Sequence, residues 1–151
     1  MLNDSDQRQV QAVLSFSGAV VERALAARSE WEANTTAFPR ERHSRKMVFV
    51  DQFRKYGDAM AVLEWSDRCV ISKIETLSPG AGAASRLLGY LKLLSGRYQV
   101  RLFGNATAYV PNDFAVADQL LGQDRLEAWY RKHGFVLHKN AIGLVELRYP
   151  E

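Results

Sequence analysis

Residues 78–84, Ser-Pro-Gly-Ala-Gly-Ala-Ala, separate two stretches with different hydrophobic periods. Before them, Cys69-Val70-Ile71-Ser72-Lys73-Ile74-Glu75-Thr76-Leu77 reads as a strand. After them, Ala84, Leu87, Leu88, Leu91 and Leu94 recur at steps of three and four, the apolar face of a helix. A strand must therefore open directly into a helix across a turn of glycine and alanine. Gly96 marks the expected helix end. Beyond it, residues 98–103 read as a further strand, and strand, crossover helix, strand implies one parallel pair.

The rest of the chain fits around that crossover. Residues 7–31 carry helical periodicity at Val10, Val13, Leu14, Ser17, Val20, Val21, Ala24 and Leu25, interrupted by Gly18. Residues 32–46 are polar, contain Pro39 and the basic residues Arg40, Arg42, Arg45 and Lys46, and read as a loop or short helix. Residues 47–53 and 59–65 read as strands, joined to each other and to residues 69–77 by hairpin-length turns at Tyr56-Gly57-Asp58 and Ser66-Asp67-Arg68. After a long connection over residues 104–123 come a short helix over 124–133, a stop at Gly134, and two strands over 135–139 and 144–149. The expected fold is a single α+β domain over residues 1–151: a helical region over 1–45, then a mixed, mainly antiparallel sheet over 47–149.

Composition narrows the function classes. At 151 residues and formal net charge +3, the chain suits one core and anionic partners. Nucleic acid fits the charge, yet no reader helix or RNA-binding signature appears. The start, Met-Leu-Asn-Asp-Ser-Asp, lacks a signal peptide's basic and apolar pattern, and no stretch has membrane-span length. With Cys69 as the one cysteine, a reducing, cytoplasmic setting is expected. Flanked by Val70 and Ile71, Cys69 reads as a small buried residue rather than a nucleophile. His43, His133 and His138 have no metal-ligand spacing. A homodimer is compatible with apolar surface on the N-terminal helix.

The glycine-rich turn has a chemical logic. A helix N-terminus presents unpaired N–H groups and partial positive charge, and glycines let a phosphate approach the backbone. Gly80, Ala81, Gly82, Ala83 and Ala84 can thus cradle phosphate or pyrophosphate. The same residues also make a tight strand–helix turn for geometry alone. No Gly-Lys-Ser/Thr follows, so it is not a P-loop, and the third glycine of a dinucleotide fingerprint is absent.

The run Pro79-Gly80-Ala81-Gly82-Ala83-Ala84-Ser85-Arg86-Leu87-Leu88 resembles the central motif of the GNAT N-acetyltransferases, Arg/Gln-x-x-Gly-x-Gly/Ala between strand and helix. Pro79 stands where that motif usually has Arg or Gln. Trp129-Tyr130-Arg131-Lys132-His133-Gly134-Phe135 is similar to the family's aromatic-Tyr-x-x-x-Gly-Phe signature, and Asn105 falls where the family often has Asn. The order of elements resembles small acetyltransferase-like proteins of phage and prophage genomes, although no first strand, usual in the family, is apparent before residue 47. The resemblance implies acetyl-CoA as co-substrate and an unidentified amine as acceptor. It implies pyrophosphate contacts at Gly80, Ala81, Gly82, Ala83, Ala84 and Ser85, pantetheine along Ile74, Thr76 and Leu77, and a contact at Asn105. It implies Tyr130 as proton donor to the leaving thiolate; packing alone is the other reading of this aromatic. Glu75 is the leading candidate base, with Glu64, Asp113 and His43 also open. Two other readings remain at this point: a DNA-base-modifying enzyme and a GNAT-like binding module without catalysis.

Overall fold

The computed structural model describes the backbone of residues 4–78, 80–106 and 122–150, with side chains from residue 18 onward. Pro79, Asp113 and the helical positions Val10, Val13, Leu14 and Ser17 lie outside that description as side chains. The order of described elements is α1 (Asp4–Ala33), β1 (Thr36–Ser44), β2 (Met47–Tyr56), β3 (Ala59–Trp65), β4 (Cys69–Thr76), α2 (Ala83–Tyr98), β5 (Leu102–Asn105), α3 (Gln123–Lys132), β6 (Val136–Lys139) and β7 (Val145–Tyr149). The strands form one seven-stranded sheet in the order β1-β2-β3-β4-β5-β7-β6. All neighbours are antiparallel except β4 and β5, which run parallel on either side of the α2 crossover. The molecule is thus α+β with a mixed, mostly antiparallel sheet.

One apolar cluster joins helices to sheet. Leu87, Leu88, Leu91 and Leu94 of α2 are fully buried against Ala24, Ala27 and Trp31 of α1 and against Ala59, Ala61, Cys69 and Ile71. Tyr130 and Phe135 belong to the same cluster. Cys69 is a packed core residue whose thiol burial pushes far up, which makes it inert as a nucleophile. Among the described residues, no helix is long and apolar enough to cross a membrane.

The register of β3 on β4 shifts at one point: Val62 pairs with Lys73, but Leu63 pairs with Ile71. Ser72 is the extra residue of a β-bulge. Cross-strand pairs share a face, so Ala59/Thr76, Ala61/Ile74, Leu63/Ile71 and Trp65/Cys69 line one side of the sheet. Met60/Glu75 and Val62/Lys73 line the other.

Several expectations change. Residues 36–44 are strand β1, not a loop or short helix, so the helical region stops at Ala33 and the sheet does have a strand before residue 47. Edge position hides β1 in the sequence. It faces water on much of its surface and carries Pro39, whose missing N–H an edge strand tolerates. Gly96 does not end α2. The helix continues through Tyr98 and is closed by Gln99, at φ 54°, whose N–H bonds Ser95 O. Tyr98 is therefore helical, and β5 begins only at Leu102. Gly104 and Asn105 belong to β5 rather than to the connection after it. Gly104 is where β5 comes closest to β4: a Cβ there would lie 2.8 Å from Ile71 O.

Candidate functional site

The turn from β4 into α2 is held from outside. Leu77 N–H donates to Asp58 O at 2.7 Å, and Ser78 N–H donates to Thr76 Oγ1 at 3.1 Å. Ala81 N–H closes a turn onto Ser78 O at 3.2 Å. Gly80 and Gly82 then take φ of 82° and 77°, the left-handed region that L side chains avoid. Gly82 is the N-cap of α2, and no side chain caps it. The first-turn N–H groups of α2 have no intrahelical acceptor. No acidic residue occupies that turn, and Ala81 beside it is exposed. These features suit an anion.

Arg86 adds a cation that the glycine pattern did not draw attention to. Its Nη1 donates to Ala81 O at 3.2 Å and lies 3.4 Å from where a Cβ on Gly82 would be. The guanidinium thus folds back along the loop.

Ser85, in the first turn of α2, connects this loop to α3. Its Oγ accepts from Trp129 Nε1 at 2.9 Å and lies 3.2 Å from His133 Nε2. Burial, then the nearby Lys92 and Lys132 charges, lower the His133 pKa. The neighbouring Tyr130 is 5% exposed and packs edge-on against Trp129 and Phe135. Burial pushes its phenol up to about 12. At the other end of α3, Gln123 Nε2 donates to Ala106 O at 2.7 Å, next to the exposed Asn105 at the end of β5. The structure therefore gathers Gly80 through Ser85, the Tyr130 helix and the Asn105 strand end around the β4–β5 crossover.

Glu75 stands apart from that group. It shares a face with Met60, away from the pairs Ala61/Ile74 and Ala59/Thr76, and its Oε1 accepts from Arg40 Nη1 at 3.0 Å. On the same face Asp51 binds Lys73 Nζ at 2.7 Å and Arg42 Nε at 3.3 Å. Burial alone would raise the Asp51 carboxyl, but Lys73 and Arg42 together hold it below the usual carboxylate range. Glu64 and His43 are exposed. Ile74 and Thr76 lie on the helix-covered side of β4, opposite Ala61 and Ala59, and Leu77 is exposed at the loop entrance. Among the described residues, no cluster of His, Cys, Asp and Glu could hold a metal ion.

No family model matches this chain, and no curated protein does. Among solved structures, the chain is similar to one titled "Crystal structure of Anti-CRISPR protein AcrVA5", at 13% identity and a TM-score of 0.38, over 72% of this chain and 96% of that one. A likeness that loose decides nothing about this site.

Proposed function

We propose that this chain is an acetyl-CoA-dependent N-acyltransferase with a GNAT-like sheet, its cofactor phosphates seated on residues 80–85. The observation that carries the reading is the junction of β4 and α2. Two left-handed glycines deliver the strand into an uncapped helix N-terminus, with the Arg86 guanidinium alongside. Backbone N–H groups and one cation are the donor set a pyrophosphate needs. The parallel β4–β5 pair next to the loop supports the same reading, as does the tie from Ser85 to the Tyr130 helix.

In the reaction, the acceptor amine attacks the thioester carbonyl carbon, a C–N bond forms and the C–S bond breaks. The amine gives up one proton and the departing sulfur takes one. Tyr130 is the group assigned to sulfur: with its pKa raised by burial to about 12, the phenol stays protonated and steadies the departing thiolate by an O–H hydrogen bond, and the sulfur takes its proton from water. Glu75 lies on the opposite face of β4 from Ile74 and Thr76 and is held by Arg40, so the amine proton passes to water.

Calorimetric titration with acetyl-CoA tests the reading. The wild type should bind in the micromolar range, and Ala81→Glu should weaken binding at least about tenfold by placing a carboxylate in the cradle. Position 81 is the suitable probe because it is exposed, whereas any side chain at Gly82 would be strained. Tyr130→Phe should bind normally but lose roughly a hundredfold in turnover of an accepted amine. Absence of binding by folded wild type at millimolar acetyl-CoA would overturn the proposal.

A further inference from the structure

The β1–β2 hairpin runs on past its pairing with β3, and Arg40 and Asp51 tie its lower half to Glu75 and Lys73 of β4. β2 pairs with β3 only through Arg54, Lys55 and Tyr56. Residues 47–53, among the described residues, pair with β1 alone, in register from Phe38↔Phe53 to Ser44↔Met47. Beyond those ties, residues 47–50 and their β1 partners make an arm of about 13 Å. Its base is anchored by Phe53, which is buried, and its tip is a two-residue turn of Arg45 and Lys46.

Three observations bear on what this arm meets. First, Arg45 takes φ 55° at the first position of the turn, where Gly, Asn or Asp is the usual occupant. The chain accepts local strain there and gains a cation at the farthest point of the arm. Second, residues 38–53 hold Arg40, Arg42, Arg45 and Lys46 against Glu41 and Asp51. Arg40 and Arg42 are engaged by Glu75 and Asp51, which leaves the excess charge at the tip. Third, the exposed apolar side chains do not form one broad patch. Met47 and Phe49 share a face with Ser44 and Arg42, while Val48 and Val50 share the other with His43 and Glu41. Phe49 lies under the Arg42 guanidinium, 4.7 Å from ring centroid to Cζ. Two side chains a face fall well short of what a stable protein interface buries. On the outer edge, Pro39 and the charged residues after it oppose strand addition.

We infer that the β1–β2 arm is a docking surface for double-stranded nucleic acid, with Arg45 and Lys46 on the phosphates and the Met47/Phe49 face, which also carries Arg42, against the groove. A two-stranded ribbon matches the width of the major groove. This inference does not depend on acyl transfer.

The test is fluorescence anisotropy of a labelled 20-bp mixed-sequence DNA duplex with the full chain, at low and physiological salt, alongside sedimentation of the protein alone. The wild type should bind at low salt, with log affinity falling against log salt at a slope of about −2 for two neutralised phosphates. Arg45→Glu/Lys46→Glu should cost at least about tenfold at low salt while leaving the thermal midpoint unchanged, since both residues are exposed. Arg45→Gly should raise the midpoint, by relieving the positive φ, and weaken DNA binding severalfold. Failure of the wild type to bind the duplex would overturn the inference, as would binding that the double charge reversal leaves intact. A dimer that Val48→Glu dissociates would instead give the arm to a second copy of this chain.

Discussion

The two ends of α2 are treated in opposite ways. At its C-terminal end backbone and side chains are tied down together. Gln99 and Val100 both donate to Ser95 O, and Arg97 and Tyr98 both donate to Glu30 of α1. Tyr90, two turns earlier, also donates to Glu30, and its hydroxyl accepts from Asn34 Nδ2 at 3.0 Å. Arg97 has the charge that a helix C-terminus favours. The N-terminal end has no side-chain cap, no acid in the first turn, and alanines at 81, 83 and 84. The same helix thus concentrates its anchoring at one end and leaves backbone donors bare at the other. The asymmetry fits the binding role proposed for residues 80–85.

The comparison can be broken in its middle first. Leu91 is fully buried between the two ends, so Leu91→Ala should cost about 2–5 kcal/mol in chemical denaturation and weaken both ends alike. If binding fell while stability did not, the ends would not share one scaffold. Ala81→Glu sharpens the contrast, because it should lower acetyl-CoA affinity at least about tenfold without lowering the melting temperature. A carboxylate there complements the helix dipole even as it repels the ligand. Glu30→Gln addresses the other end and should lower the melting temperature while sparing binding. Its effect depends on pH. Burial would raise the Glu30 carboxyl, but hydrogen bonds from Arg97 and Tyr98, the Arg97 charge and Tyr90 bring it below its ordinary value of 4.5. A carboxylate with a depressed folded pKa stabilises above its unfolded pKa and loses that contribution as pH falls through the folded one. The gap between wild type and Glu30→Gln should therefore be full near neutral pH and close below pH 4.5, which a thermal melt series reads directly. The smallest effect belongs to Gln99→Gly, which removes the left-handed strain at the C-cap and should stabilise by about 1 kcal/mol at most, with no change in binding.

The difference between the ends also explains what the sequence makes visible. The leucines at 87, 88, 91 and 94 announce α2 because each is fully buried on one face, and all four are core residues. The glycines of the loop stand out because only glycine takes their φ angles at no steric cost. The C-terminal end misleads, since Gly96 looks like a stop while Gln99 is the residue that turns left-handed. What decides that end is Glu30, 67 residues from Arg97, and no local pattern reports such a partner. The same holds at the candidate site. Ser85 and Trp129 are 44 residues apart, and Arg40 and Glu75 are 35 apart. Short-range spacing supplies the loop, but not the contacts that lock α3 to it or occupy the expected base. Strand β1 was illegible for a different reason: an exposed edge strand needs no alternating apolar face.

The bulge at Ser72 sets the phase of the sheet. Every residue of β4 after it points opposite to where uninterrupted alternation would send it. Flattening the bulge with Ser72 kept in the ladder would swing Lys73 and Glu75 toward the helices and turn Ile74 and Thr76 outward. The charges that hold Asp51 and Arg40 would then be stranded in the core. Bulging one residue out of the ladder thus decides which side of the molecule is oil and which is salt, just before the chain enters the glycine loop.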